Sequence, residues 1–449
     1  MKWRHLFIIL TAANNLVLYL TRNCLYIAIV SMVDMKDQSR DNTENVECGT
    51  TKRNGTEHIL LSKTSFHWSL LEVDLILGAY FYAYTALQIP AGFVSVLLSE
   101  KHVLNICNVI HALITCFIPF STTYGSNSLI LLRFLMGVAG AFIFPANAAL
   151  VKSLCLKNEV TISINLMVVF QGIGSLITPV ITGYLCSRED FGGWRSSFYV
   201  CGTMHLSYAT IYIFISNTKL FNDILLKNEC STTSDGSKLK SLKLLFDWKV
   251  YAYSYSQFAS ANPICFILLK LPQYYSSILN VPIFQNGLIN SFPMIVYTLA
   301  PFISSIFITA MISRKIISPR LLYSIVYTFS MTIALLLFSV FTKFIKCNII
   351  VGMTIFCLAL FCCLASHAIV FSIVAKHSKY VSLSTGISNS IGNCAGFIVP
   401  IYANIFTEND IHNRENWHNV FFTTGFIGFS GILTLNLMLW FGKHNPYLF

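Results

Sequence analysis

Charged residues are scarce in this chain. Only 11% of its 449 residues are Asp, Glu, Lys or Arg, whereas soluble domains contain about 25%. Hydrophobic residues make up 55% of the sequence, the mean hydropathy is +0.64, and long apolar runs recur along the whole length. This composition excludes an ordinary soluble protein and predicts one polytopic membrane domain.

Motifs for catalysis and for cofactor binding are also lacking. The sequence has no Walker A loop, HExxH, GxSxG or CxxC, and its 14 cysteines form no metal-binding pattern. We therefore expect no enzyme, no metal site and no cofactor. The net charge of +11 would suggest nucleic acid in a soluble protein, but cytoplasmic loops of membrane proteins are enriched in Lys and Arg. No nucleic-acid partner is expected.

Twelve apolar runs are long enough to cross a bilayer as helices, since a spanning helix needs about 20 residues. The sequence therefore predicts an all-α polytopic membrane protein with twelve transmembrane helices in two six-helix halves. The N-terminal half covers 1–216 and includes an extracytoplasmic loop at 34–71; a cytoplasmic central loop at 217–249 precedes the C-terminal half at 250–449. The predicted spans are 6–33, 73–99, 102–121, 127–155, 160–186, 195–216, 250–277, 284–312, 320–342, 347–376, 381–407 and 417–441.

Positive charge in the short loops predicts the orientation of these helices. Lys2 and Arg4 precede the first span, while Arg314, Lys315 and Arg320 lie between the eighth and ninth. With an even number of helices, these loops share one side, so both termini are predicted to be cytoplasmic.

The loop at 34–71 contains the sequon Asn54-Gly55-Thr56, which predicts glycosylation of Asn54 on the opposite, non-cytoplasmic side. Either the plasma membrane or an endomembrane vesicle fits this arrangement. The same loop contains Cys48. Whether Cys48 forms a disulfide is left open, with Cys186 as one candidate partner.

Two arginines lie inside apolar spans, where an ionisable residue is costly and is functional by default. Arg22 lies within NNLVLYLTRNCLYIAIVSMV, and Arg133 begins RFLMGVAGAFIFPA. Gly137 and Gly140 follow Arg133 at i+4 and i+7, which places the arginine on a small-residue face that packs against other helices. Because neither arginine has an obvious buried carboxylate partner, the pair predicts a positively charged cavity for an anion. The alternative for each is a structural brace on helix carbonyls.

Other polar residues in the spans have simpler interpretations. Lys270 lies near the outer end of the seventh span, where we expect its side chain to reach the membrane surface. Glu72 and Asp74 begin the second span, where acidic residues complement the helix dipole. Three histidines could relay protons, but core packing is the simpler expectation for each; they are His111, His205 and His367.

The segment GAYFYAYTALQIPAG places Tyr80, Tyr84 and Gln88 at intervals of four residues, so these side chains share a helix face and are candidates to line a ligand path. The segment also resembles the stretch GSFFYGYIxTQIPGG of solute carrier family 17, the anion transporters that include sialin, vesicular glutamate transporters and sodium–phosphate cotransporters. Further similarity follows in order along nearly the whole chain: RNCLYIAIVSMV, RFLMGVAGAFIFPA, GGWRSSFYVCG, LPQYYSSILNVPIFQNGLINSFP, STGISNSIGNCAGFIVP and ENWHNVFF.

The resemblance implies a major facilitator fold, in which two halves rock around a substrate site near the bilayer midplane. It also implies that Arg22 contacts substrate and that Arg133 occupies the position of an arginine in a charged network linked to proton coupling. Three positions depart from the vesicular members. Gly140 stands where they have a glutamate, Leu77 where the glutamate transporters have a histidine, and Ser260 where they have a second substrate-binding arginine.

These departures argue against a clamp for dicarboxylates of the glutamate type and against that form of proton coupling. Together with the similarity of PQYYSSILNVPIFQNGL to the phosphate-cotransporter branch, they favour that branch. We expect a monomeric secondary active transporter for inorganic phosphate or small organic anions such as urate, coupled to sodium or protons or driven by voltage. Its partners would be the small anion and the lipid bilayer. Two alternatives remain open: a transporter-like receptor or scaffold that moves nothing, and an anion channel.

Overall fold

The computed structural model describes residues 3–33, 66–97, 99–155, 160–229, 247–315, 317–377 and 381–441. Within these ranges the chain is helical, with short turns and one isolated β-bridge between Val33 and Phe66. The helices are α1 (Trp3–Met32), α2 (Leu70–Leu97), α3 (Glu100–Ser121), α4 (Ser126–Leu154), α5 (Val160–Cys186), α6 (Trp194–Ser216), α7 (Lys219–Glu229), α8 (Trp248–Leu269), α9 (Leu271–Ser277), α10 (Ile283–Ser313), α11 (Pro319–Ser339), α12 (Ile349–His377), α13 (Val381–Asn393), α14 (Ala395–Thr407) and α15 (Arg414–Phe441).

The twelve predicted spans correspond to helices whose bounds agree to within one turn. Two spans are interrupted: the seventh consists of α8 and α9, and the eleventh consists of α13 and α14. Eleven helical segments in the described ranges are long and apolar enough to cross a membrane. The polar-rich α8 is not among them, and α7 is a further helix in the stretch predicted as central loop.

The start of α2 shows why the segment becomes helical at Leu70. The backbone N–H of Ser69 donates to Glu72 Oε2 at 2.8 Å, and the backbone N–H of Glu72 donates to Ser69 Oγ at 3.2 Å. This reciprocal pair is a capping box, which satisfies backbone donors that the first turn leaves unbonded. The expectation that Glu72 supports the helix start is confirmed, through this specific geometry.

Large apolar side chains cover the outward surface of the bundle. Phe214 is 73% exposed and Ile306 is 70% exposed, and similar residues recur on most of the long helices. A soluble protein seldom exposes so much contiguous apolar surface. Lipid chains are the natural environment for it, so the surface agrees with the hydropathy of the sequence.

The two halves meet along two groups of helices, α5 with α10 and α2 with α13 and α14. At the α5–α10 crossing, a Cβ on Gly183 would lie 2.9 Å from the Gly287 Cα. On the other side, a Cβ on Gly396 would overlap the Phe81 ring. Glycine allows this close approach because it has no side chain to separate the backbones.

Candidate anion site

Arg22 is 7% exposed and lies at the interior of the N-terminal half. Its guanidinium carbon is 4.7 to 5.3 Å from the ring centroids of four aromatic side chains, those of Tyr19, Tyr80, Phe81 and Tyr84. Nη1 donates a hydrogen bond of 3.4 Å to the Tyr19 hydroxyl. The aromatic faces attract the cation and partly replace its lost hydration, so a permanent positive charge is retained inside the bundle.

Arg133 is fully buried beside Arg22. Its Nη1 donates to the backbone carbonyl of Arg22 at 3.4 Å and to the Met136 sulfur at 3.5 Å. Its guanidinium carbon lies 5.3 Å from the centroid of the Tyr80 ring, which Arg22 also contacts. Arg133 therefore braces α4 against α1 and adds a second charge to the same region.

Gly140 accounts for the arrangement around Tyr80. A Cβ at position 140 would overlap the Tyr80 hydroxyl, and one at Gly137 would overlap the Tyr80 backbone carbonyl. The absence of a side chain at position 140 thus leaves room for the Tyr80 ring, whose face is a neighbour of Arg133.

Within the described ranges, neither arginine pairs with a carboxylate. Nε of Arg22, and Nε and Nη2 of Arg133, have no hydrogen-bond partner there. Buried guanidinium donors are expensive to leave unbonded, and planar anions are the ligands whose geometry they match. The site is therefore electrostatically suited to receive an anion.

A buried salt bridge lies elsewhere, between Lys270 and Asp74. Both side chains are 3% exposed, and Lys270 Nζ also donates to Gln273 Oε1 at 2.7 Å. Lys270 lies at the break between α8 and α9, so the pair joins the two halves. The expectation that Lys270 reaches the membrane surface is wrong. Asp74 also does more than complement the helix dipole, because the two buried side chains neutralise each other.

The predicted path residues on α2 have different environments. Tyr80 and Tyr84 stack at 5.5 Å and both contact Arg22, so the structure brings these two together with the arginines. Gln88 is buried on the same helix, but none of the described contacts connects it to either arginine. Tyr19 and Tyr26 were not predicted, although their positions at i−3 and i+4 from Arg22 place them on its helix face.

A small cavity lies between the two halves and is lined in part by Tyr26. The N-terminal half contributes Asn23, Tyr26 and Ser175, and the C-terminal half contributes Asn290 and Met294. Tyr26 connects this cavity to the arginine region, because its ring centroid is 6.0 Å from the Arg133 guanidinium carbon. Polar amide and hydroxyl groups thus line this cavity at the contact between the halves.

The histidines are not isolated core residues. His111 and His205 lie with ring centroids 5.3 Å apart, and both approach the Thr21 hydroxyl. In the C-terminal half, His367 Nδ1 is 3.1 Å from Ser260 Oγ. Ser260 is therefore an uncharged residue that is bonded within its own half.

Several sequence predictions concern residues outside the described ranges, including Asn54 and Cys48. Cys186 is a free, buried thiol, so it is not the disulfide partner that the sequence left open. Leu77 is buried in the core of the bundle, where it contributes packing alone.

Two halves of membrane-spanning helices that pack around buried charges at their interface define a membrane transporter. A family model described as Major Facilitator Superfamily matches residues 12–400, and the chain belongs to that superfamily. It is a transporter and not an enzyme.

Similar curated proteins extend the comparison. Vesicular glutamate transporter 2.2 of Danio rerio is 23% identical over 438 residues, which cover 93% of this chain and 70% of that protein. Sialin of Homo sapiens is 23% identical over 444 residues, covering 94% and 86%. The resemblance to solute carrier family 17 is thereby confirmed.

Solved structures support the fold. A bacterial homologue of the human lysosomal transporter Spinster, in an inward-facing and unoccupied conformation, aligns with a TM-score of 0.68 at 11% identity, covering 98% of this chain and 96% of that one. A point mutant of the nucleoside transporter NupG aligns with a TM-score of 0.65 at 11% identity, covering 96% and 99%.

Proposed function

We propose that this protein is a secondary active transporter of small anions that works by alternating access, with Arg22 as its principal anion contact. The observation that carries the proposal is the pair of buried arginines, whose free donors face no carboxylate in the described ranges. Arg133 holds α4 against α1 and adds to the positive field. Tyr80 and Tyr84 shape the site, while Gln88 is a weaker candidate to line the path.

The substrate class follows from charge. Vesicular glutamate transporters are named for glutamate, but the resemblance implies that Ser260 and Gly140 of this chain stand at positions where those proteins carry charged groups. With fewer fixed charges, the site suits a compact or singly charged anion. Inorganic phosphate and small organic anions such as urate are the proposed substrates, coupled to sodium or protons or driven by voltage.

Uptake into proteoliposomes tests the proposal. Purified protein would be offered labelled phosphate, urate or glutamate under imposed sodium, proton or voltage gradients, with protein-free vesicles as the control. Accumulation above equilibrium supports a transporter. Passive flux of these anions would indicate the channel alternative, and absence of any flux would favour the receptor or scaffold, so either result contradicts the proposal.

A further inference from the structure

A pair of histidines lies next to the arginine site on elements that the anion contacts do not use. His111 is on α3 and His205 is on α6, and both are fully buried. Each Nδ1 is 3.3 Å from Thr21 Oγ1 on α1, directly before Arg22. Nε2 of His205 is 3.1 Å from the Asn108 amide, but Nε2 of His111 has no hydrogen-bond partner among the described residues.

The hydrogen bonds around Thr21 indicate the tautomers of the two rings. Asn108 Oδ1 can only accept, so Nε2 of neutral His205 carries the proton and its Nδ1 is a bare acceptor 3.3 Å from the Thr21 hydroxyl. The Thr21 hydroxyl, which also lies 3.0 Å from the carbonyls of Val17 and Leu18, can donate to that Nδ1 and accept from the Nδ1–H of His111. Nε2 of His111 is consequently a bare lone pair inside the bundle, which is a vacant acceptor for one proton.

The charges around the pair decide when a proton can bind. α1 contributes Arg22, α4 contributes Arg133, and α2 presents the Tyr80 ring, which meets His111 edge to face at 6.3 Å. Burial is the largest cause that disfavours a charge at His111, and the positive charges of Arg133 and Arg22 add to it. An anion at the arginines would cancel part of that field. The titratable groups that act on His111 are therefore His205, Arg133 and Arg22.

We propose that His111, supported by His205 and Thr21, is a proton-binding site that couples proton movement to anion movement, an inference that rests on the proposed function. When the anion binds, one proton adds to the Nε2 lone pair of His111, forming an imidazolium that Thr21 and His205 stabilise. The anion and the proton then leave together when the site opens to the other side of the membrane. By linkage, the anion promotes proton binding and the proton promotes anion binding to the same extent.

The test uses full-length protein in proteoliposomes with the voltage clamped by potassium and valinomycin. An imposed proton gradient should drive accumulation of labelled phosphate, urate or glutamate by the wild type. His111→Gln and His205→Gln should each lower this accumulation roughly tenfold, the size of a typical coupling between sites, while exchange of labelled for unlabelled anion persists. His367→Gln is the control, since it removes a half-buried histidine that is also bonded to a hydroxyl, in the other half.

The outcomes separate the two proposals. Because phosphate itself changes protonation near neutral pH, variants are compared at one pH. The inference is supported if His111→Gln and His205→Gln both keep anion exchange but lose accumulation driven by the proton gradient. The exchange that remains also shows that both variants fold. Wild-type accumulation that ignores the proton gradient, or a His111→Gln protein that still responds fully, overturns it and leaves anion transport standing. No anion flux in the wild type overturns the proposed function and the inference with it.

Discussion

At the scale of single residues, the absence of a side chain at Gly140 is as informative as the presence of Arg133. The Tyr80 ring occupies the volume that Gly140 leaves open and contacts both guanidinium groups. Two cations therefore share one aromatic neighbour where a carboxylate would otherwise neutralise one of them. The positive field at the site is stronger as a result, which is the property an anion carrier needs.

Gly140→Ala should displace the Tyr80 hydroxyl and lower both stability and anion uptake. Overpacking of this kind costs about 1–3 kcal/mol, measured as a lower melting temperature in detergent. Gly386→Ala is the control, because a Cβ there meets nothing within 4 Å.

The double variant Gly140→Ala/Tyr80→Phe sharpens the test. It removes the overlapping hydroxyl, which has no hydrogen-bond partner among the described residues, and should recover part of the lost stability. Strictly additive effects of the two substitutions would contradict the proposed contact.

The residue scale also shows how far sequence reasoning reaches. Arg22 and Arg133 were predictable because a charge in an apolar span has few explanations. The Lys270–Asp74 pair was not, since the partners are 196 residues apart in sequence and only the fold brings them together. The aromatic group around Arg22 was predictable in part, because Tyr19 shares its helix face.

At the scale of elements, helix positions followed from hydropathy, while interruptions and added helices did not. The break between α8 and α9 falls at Lys270 and is followed by Pro272, whose ring prevents a regular helix from continuing through it. The helix α7 is short and polar, so the hydropathy of the sequence does not reveal it. Its Phe221 nevertheless packs with Phe7 and Tyr212 in the N-terminal half.

The break matters because it presents Lys270 to Asp74 of the other half. Removing one partner of a buried ion pair typically costs about 3–5 kcal/mol, whereas replacing both with apolar groups is often neutral. Asp74→Asn and Lys270→Met should therefore each lower the melting temperature in detergent. The double variant Asp74→Leu/Lys270→Met should recover most of the stability that the single variants lose. If the double variant lost as much melting temperature as the two single variants together, the proposed ion pair would be contradicted.

At the scale of the whole molecule, the count of spans and their division into two halves were predictable from composition and loop lengths. The way the halves meet was not. It depends on close approaches such as Gly183 to Gly287 and on the Lys270–Asp74 pair, which involve residues from opposite halves. If the protein works by the proposed alternating access, these contacts separate when a site between the halves opens.

The measurement that tests the central claim most directly is anion exchange by Arg22 variants in proteoliposomes. Arg22→Gln removes the charge and keeps a polar side chain, so the loss of charged hydrogen bonds worth about 1.5–3 kcal/mol each predicts a fall in exchange of roughly 10- to 100-fold. Arg22→Lys keeps the charge without the planar donor pair and should fall between the wild type and Arg22→Gln. The exposed Arg188→Gln is the matched control and should transport like the wild type. Exchange by well-folded Arg22→Gln at the wild-type rate would contradict the account.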